Sequence, residues 1–183
     1  MSLFAALKVI IEFLETNKIP YMVIGGIANS IYGEPRQTFD IDIKIKINEQ
    51  ISLVELLERL SKISESIHQN PVNFANEMRV FPINIEGTKI DLIFADLNFE
   101  KEAIDNSVRY NYDSIEINVC RPEDLIIQKC VSEREKDWND IRNIIKININ
   151  NLNKDYILKH CKELSDWLSK AEILEKIKKY LDG

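Results

Sequence analysis

Between Phe39 and Ile47 the chain alternates without a break, with Ile41, Ile43, Ile45 and Ile47 on one parity and Asp40, Asp42, Lys44 and Lys46 on the other. Successive side chains of an extended strand point to opposite faces, so this stretch reads as a half-buried strand with an apolar side and a charged side. Asp40 and Asp42 then share a face, with Cα atoms roughly 6.6 Å apart. Carboxylates at that spacing can converge on metal. Two-ion phosphoryl-transfer sites hold their ions about 3.5–4 Å apart, a span that two such carboxylates and a third from a neighbouring strand can cover. The same alternation equally describes an ordinary strand whose charged face is solvated.

The surrounding pattern supplies a sheet and its helices. Leu3, Leu7, Ile10, Ile11 and Leu14 recur at helical spacing within 3–17, ahead of Pro20. A β-prone run over 21–24 stops at Gly25 and Gly26, and a brief helix over 27–32 precedes Gly33 and Pro35. Asn48 is placed to cap a helix bearing Leu53, Leu56, Leu57, Leu60, Ile63 and Ile67, followed by a polar break near Asn70 and Pro71. Residues 78–85 and 88–95 flank Glu86 and Gly87 as the arms of a hairpin. Further on come a helix over 98–106, a strand over 114–120, and a helix opened by Pro122, Glu123 and Asp124 that carries Lys129. The segments 136–147, 155–167 and 171–181 are helical, with an asparagine-rich loop over 148–153. Trp138 and Trp167 fall inside these helical patterns and read as packing residues.

The expected fold class is therefore α/β, in the α+β sense of a small mixed, twisted sheet flanked by helices. Residues 1–147 form its core and 148–183 a helical region packed on it. A length of 183 residues suits one sizeable core. The formal charge of -6 argues against a surface that attracts phosphate backbones everywhere, while leaving room for a local basic cleft. Cys120, Cys130 and Cys161 are odd in number and widely spaced, so they read as reduced, buried thiols. Lys8 and Glu12 interrupt the apolar start of the chain, so no signal peptide or membrane span is expected and the cytoplasm is the expected address. His68 and His160 have no companion at metal spacing and receive no role.

Two features sharpen the reading of the aspartates. Asp91 interrupts the apolar run Ile90, Leu92, Ile93 and Phe94, where an unpaired carboxylate would incur a penalty of several kcal/mol, so it needs a metal, a hydrogen-bond partner or water. Gly25 and Gly26 lie between a strand and a helix, where backbone N–H groups can face a phosphate without a Cβ in the way, although most such pairs are plain turns.

Taken in order, Gly25-Gly26-Ile27-Ala28, then Pro35-Arg36-Gln37-Thr38-Phe39-Asp40-Ile41-Asp42, then Lys89-Ile90-Asp91-Leu92-Ile93 resemble the signature of the polymerase-β-like nucleotidyltransferase superfamily. The pattern is most similar to its AbiEii-type, abortive-infection branch. The likeness continues through the run from Arg121 to Lys129 and the run from Arg134 to Ile141, and covers roughly residues 20 to 147. The resemblance implies the nucleotidyltransferase fold and a site in which Asp40, Asp42 and Asp91 hold two Mg²⁺ ions. Gly25, Gly26, Arg36, Thr38 and Lys129 would attend the nucleoside triphosphate, and Lys129 and Asp137 would belong to the active-site region. Taken by their chemistry alone, Lys129 and Asp137 can equally be a surface ion pair, and Arg36 can be a plain loop residue. The implied activity is transfer of a nucleoside monophosphate to a hydroxyl acceptor. RNA, especially transfer RNA, is the acceptor the branch suggests, with an antitoxin protein as partner. A small-molecule acceptor such as an antibiotic is the second reading, and a catalytically silent nucleotide-binding or antitoxin-like module is the third. Retention of all three aspartates argues against the last.

Overall fold

A computed structural model of the chain describes residues 2–47, 51–66 and 68–182. The chain divides into two compact units, one made of Met1–Ile27 and Gln37–Cys120, the other of Ala28–Arg36 and Arg121–Gly183. Among the described residues no helix is long and apolar enough to cross a membrane.

The first unit is built on a sheet. It opens with helix α1 (Leu3–Thr16), which Ser2 caps by accepting a hydrogen bond from the Ala5 N–H at 3.3 Å and which buries Leu7, Ile10, Ile11 and Leu14. The strands are β1 (Tyr21–Val23), β2 (Asp40–Ile45), β3 (Glu65–Ser66), β4 (Val80–Ile85), β5 (Thr88–Phe94), β6 (Val108–Tyr112) and β7 (Ile115–Val119). Their order across the sheet is β3-β4-β5-β2-β1-β7-β6. The β2–β5 and β1–β7 pairs are parallel and the others antiparallel, which gives the mixed sheet expected from the sequence. Ile41, Ile43 and Ile45 of β2 are fully buried, as their alternation requires. The opposite face of β2 is not uniformly solvated. Helix α5 (Asn98–Asp105) lies against it, so that buried Lys44 bonds Glu100 and Lys46 reaches Asp105 at 2.8 Å.

The hairpin between β4 and β5 turns at Glu86 and Gly87, both at positive φ (46° and 88°), the pairing that a two-residue turn between twisted strands favours. Three local readings change. Helix α3 spans Leu53–Leu60 with Ser52 accepting from the Glu55 N–H at 3.2 Å, so Ile63 falls in the following turn; Asn48 and Ile67 lie outside the described residues. The polar break at Asn70 and Pro71 is instead the start of helix α4 (Pro71–Met78), with proline at the first helical position and β4 beginning only at Val80. Residues 108–112 form a further strand, in the stretch left unassigned between the expected helix over 98–106 and strand over 114–120.

The second unit is helical. It contains α6 (Pro122–Lys129), α7 (Glu135–Asn148), α8 (Lys154–Leu168) and α9 (Ala171–Asp182). Asp124 is fully buried in α6 and is held by Arg121 at 2.9 Å and by the Tyr156 hydroxyl at 2.9 Å. Cys130 and Cys161 are buried with their sulfurs 3.7 Å apart, and Cys120 is buried in the first unit. Trp138 is buried and donates its indole N–H to the Ser132 carbonyl at 2.9 Å. Trp167 departs from the expected packing role: the buried stripe of α8 runs through Ile157, Cys161, Leu164 and Ser165, and position 167 lies off it, leaving the ring 72% exposed.

Candidate active site

The acidic centre lies at the junction of β2 and β5. The two strands run parallel in a register that sets Asp40 beside Lys89 and Asp42 beside Asp91. Residues opposite one another in a ladder point to the same face, and residues two apart along a strand do likewise. Asp40, Asp42, Lys89 and Asp91 therefore share one face of the sheet. The sequence motifs grouped Asp91 with Asp40 and Asp42 on a neighbouring strand, and the β2–β5 pairing sets it directly beside Asp42.

Helix α2 (Gly25–Tyr32) begins at the first glycine rather than after the pair, so Gly25 and Gly26 form its opening turn. Gly25 sits at φ +61°, and a Cβ there would come within 1.9 Å of Asp42 Oδ2. A Cβ on Gly26 would come within 2.4 Å of Thr38 Oγ1. The glycines thus let the N-terminus of a helix close onto the aspartate strand, which is a stronger requirement than a tight turn imposes. The Ile24 N–H bonds the Asp42 carbonyl at 2.9 Å and fixes the same approach. Thr38 Oγ1 donates to Asp40 Oδ1 at 3.1 Å, so the threonine orients the first carboxylate. We expect Gly25→Ala to lower turnover by about 10²-fold, the cost of misplacing a reacting group by an ångström or so, with the far-ultraviolet spectrum unchanged. Full activity in that variant would show that the Asp42 position is not critical.

Lys89 escaped the sequence reading and is the most informative residue here. Its ammonium donates to Asp91 Oδ2 at 2.7 Å. Its pKa is raised, first by that hydrogen bond and then by the negative charge of Asp91, Asp40 and Asp42, against a partial lowering by burial. A cation already resides in the combined field of all three carboxylates, with half of its side chain exposed. Among the described residues no three His, Cys, Asp or Glu side chains are drawn closely enough together to hold a metal ion as they stand. The donor set still suits Mg²⁺, a hard cation usually held by one or two carboxylates plus substrate phosphates rather than by an all-protein cage. Lys89 sets a positive charge beside Asp91.

The other residues singled out from the sequence, Arg36, Lys129 and Asp137, belong to the helical unit and join one network with a buried centre. Lys129 Nζ donates to Asp137 Oδ1 at 2.9 Å and to Asp140 Oδ2 at 2.7 Å. Asp137 Oδ2 also accepts from Ser132 Oγ at 2.7 Å and Arg134 Nε at 2.6 Å. Arg36 grips Asp140 with two nitrogens at 3.3 and 3.1 Å. Lys129, Asp137 and Asp140 are all buried, so this is not the surface ion pair that their residue types alone allowed. Asp140, whose carboxylate joins Arg36 to Lys129, lies in the Arg134–Ile141 run but received no role there, since its partner Arg36 arrives from far along the chain.

Burial pushes the Asp137 carboxyl up, but hydrogen bonds from Lys129, Ser132 and Arg134 and the Lys129 charge outweigh it and hold the group at about 2, against 3.8 for a free side chain. A carboxyl whose folded value is depressed contributes stability above its unfolded pKa and loses it as pH falls through the folded value. The contribution is complete above pH 3.8 and disappears toward pH 2. Melting temperatures across that window should fall more gently for Asp137→Asn than for the wild type. Parallel curves would mean that Asp137 is not selectively stabilised as an anion.

Comparison with known proteins gives a family and a fold. A family model described as "Nucleotidyl transferase of unknown function (DUF2204)" matches residues 3–180. Among solved structures, an antigenic nucleotidyltransferase-like protein from Paracoccidioides brasiliensis is 17% identical, with 95% of this chain and 91% of that chain covered and a TM-score of 0.55. The lincosamide antibiotic adenylyltransferase LnuA, in a lincomycin-bound structure, is 20% identical over 77% of this chain and 95% of its own, with a TM-score of 0.53. ANT(2")-Ia in complex with adenylyl-2"-tobramycin is 13% identical over 89% and 97%, with a TM-score of 0.59. None of the curated proteins compared matches the chain. At these identities the structural likeness is one of fold.

Proposed function

We propose, for a chain that belongs to the nucleotidyl transferase family DUF2204, transfer of a nucleoside monophosphate from a nucleoside triphosphate to a hydroxyl acceptor at the Asp40, Asp42 and Asp91 face. That the chain is a nucleotidyltransferase follows from its family and fold; the proposal concerns how it works and on what. The observation that carries it is the register of β2 against β5, which sets Asp42 beside Asp91 while Gly25 presses the start of α2 onto the same aspartate.

Asp40, Asp42 and Asp91 would hold Mg²⁺, which supplies charge neutralisation at the entering and departing oxygens. The opening turn of α2 presents backbone N–H groups and the positive end of the helix dipole to the phosphates, with no Cβ in the way. Thr38 fixes the Asp40 carboxylate through its hydroxyl. Asp91 accepts the proton of the acceptor hydroxyl at a carboxylate oxygen, the acceptor oxygen attacks the α-phosphorus, and pyrophosphate departs. Lys89 donates to Asp91 Oδ2, and the acceptor's proton goes to Oδ1.

RNA, transfer RNA in particular, is the acceptor we assign first, in line with the abortive-infection branch that the motifs resemble, with an antitoxin as the accompanying protein. The acidity of the chain favours a second reading, a small cationic hydroxylated acceptor. The structural neighbours that carry lincomycin and adenylyl-tobramycin are of that kind. Incubating the protein with each α-labelled nucleoside triphosphate and Mg²⁺, beside total transfer RNA, cell protein or hydroxylated antibiotics, separates the readings by where label appears. Label in none of these pools would overturn the assignment of transferase chemistry to this face.

A further inference from the structure

The two edges of the sheet differ in kind. At one end β3 is only two residues long, Glu65–Ser66. At the other, β6 runs for five residues, Val108–Tyr112, and among the described residues has β7 as its only strand neighbour. Long open edges are ordinarily blunted by shortness, proline, lysine or a bulge, because their row of backbone N–H and C=O groups invites another strand. The sequence Val-Arg-Tyr-Asn-Tyr of β6 contains no proline, glycine or lysine. Val108, Arg109, Tyr110 and Asn111 are all exposed, whereas Val119 and Ile117, the residues paired with Val108 and Tyr110, are buried. An apolar sheet face thus continues from β7 onto β6 and is left open there, with Val108 at 45% and Tyr110 at 40% exposure.

We propose that β6 is a homodimer interface, at which a second copy of this chain adds its own β6 antiparallel about a two-fold axis at Tyr110. That register sets Tyr110 against Tyr110 of the second copy, Val108 against Tyr112, Arg109 against Asn111, and the flanking Ser107 against Asp113. The apolar face gains an aromatic pair and two β-branched–aromatic pairs, the combinations that stabilise neighbouring strands. On the other face the single charge meets an amide, and no like charges stand opposite one another. Arg109 keeps Glu116 at 3.1 Å within its own sheet. This self-complementarity selects a second copy over an unrelated strand, and an isologous contact of this kind closes at two.

Sedimentation equilibrium and light scattering should give a mass twice the 21.3 kDa of the chain. Tyr110→Asp places two like charges on the axis and should return the mass to 21.3 kDa with an unchanged circular dichroism spectrum. Mixing Tyr110→Asp with Tyr110→Lys should restore the doubled mass as a heterodimer, which a merely unfolded variant could not do. Independently of any variant, hydrogen exchange at the outward amides of β6 should slow as wild-type concentration rises. A mass of 21.3 kDa at every concentration up to millimolar, a doubled mass indifferent to Tyr110→Asp, or β6 exchange that ignores concentration would each overturn the proposal.

Discussion

Asp42→Ala should lose at least about 10³-fold in nucleotidyl transfer, or roughly 4 kcal/mol of transition-state stabilisation, with the fold intact. The side chain lies on a strand whose apolar face is fully buried, but Asp42 itself is only partly buried, so removing it empties no core volume. Its loss removes the carboxylate beside Asp91 and the group against which Gly25 closes. The measurement is turnover of an α-labelled nucleoside triphosphate by wild type and variant at matched folded fraction. Equal turnover would sink the proposed acidic centre, because the pairing of β2 with β5 leaves no other aspartate beside Asp91. Asp42→Asn serves as a companion that keeps the shape and removes only the charge.

Lys129→Met should destabilise the protein by about 3 kcal/mol, the lower end of the range for removing one partner of a buried ion pair. Two carboxylates lose a shared cation in surroundings where their side chains are 2% and 9% exposed. The lower end applies because Arg134 and Ser132 still serve Asp137 and Arg36 still serves Asp140. For a chain of this size the melting temperature should fall by roughly 6–12 °C. Denaturant titration should show a lower midpoint with the same slope. A loss below about 1 kcal/mol would mean that the network behaves like an exposed ion pair. Any contribution of Lys129 to phosphate binding would appear separately, as a raised KM for nucleotide in the folded fraction.

What could be read in advance follows the distance over which each feature is decided. The Phe39–Ile47 alternation declared β2 because one side faces a core and the other does not, and Glu86-Gly87 declared the hairpin because its backbone demands positive φ. Strand β6 carries the same alternation, Val108, Tyr110 and Tyr112 against Arg109 and Asn111, but the run is short and four of its five residues are exposed, so pairing with β7 is what makes it a strand. Helix α4 buries only Ala75 and therefore has no apolar stripe to recognise. At the candidate site, the motifs singled out Gly25, Asp40, Asp42 and Asp91, which the fold brings together, while Lys89 and Asp140 stood in the same motif runs without a role. Their importance lies in which distant residue each one meets, Asp91 and its neighbours for the lysine, Arg36 and Lys129 for the aspartate.

The placement of the three thiols gives this protein a built-in clock for local unfolding. Cys120 is sealed in the sheet unit and Cys130 and Cys161 in the helical one, all at 0% exposure. A thiol-specific alkylating reagent can reach each only when the surrounding structure opens, so modification rates under native conditions report the opening free energy of each unit separately. Mass spectrometry of the alkylated peptides would then show whether nucleotide tightens the sheet unit, the helical unit or both, without introducing a single substitution.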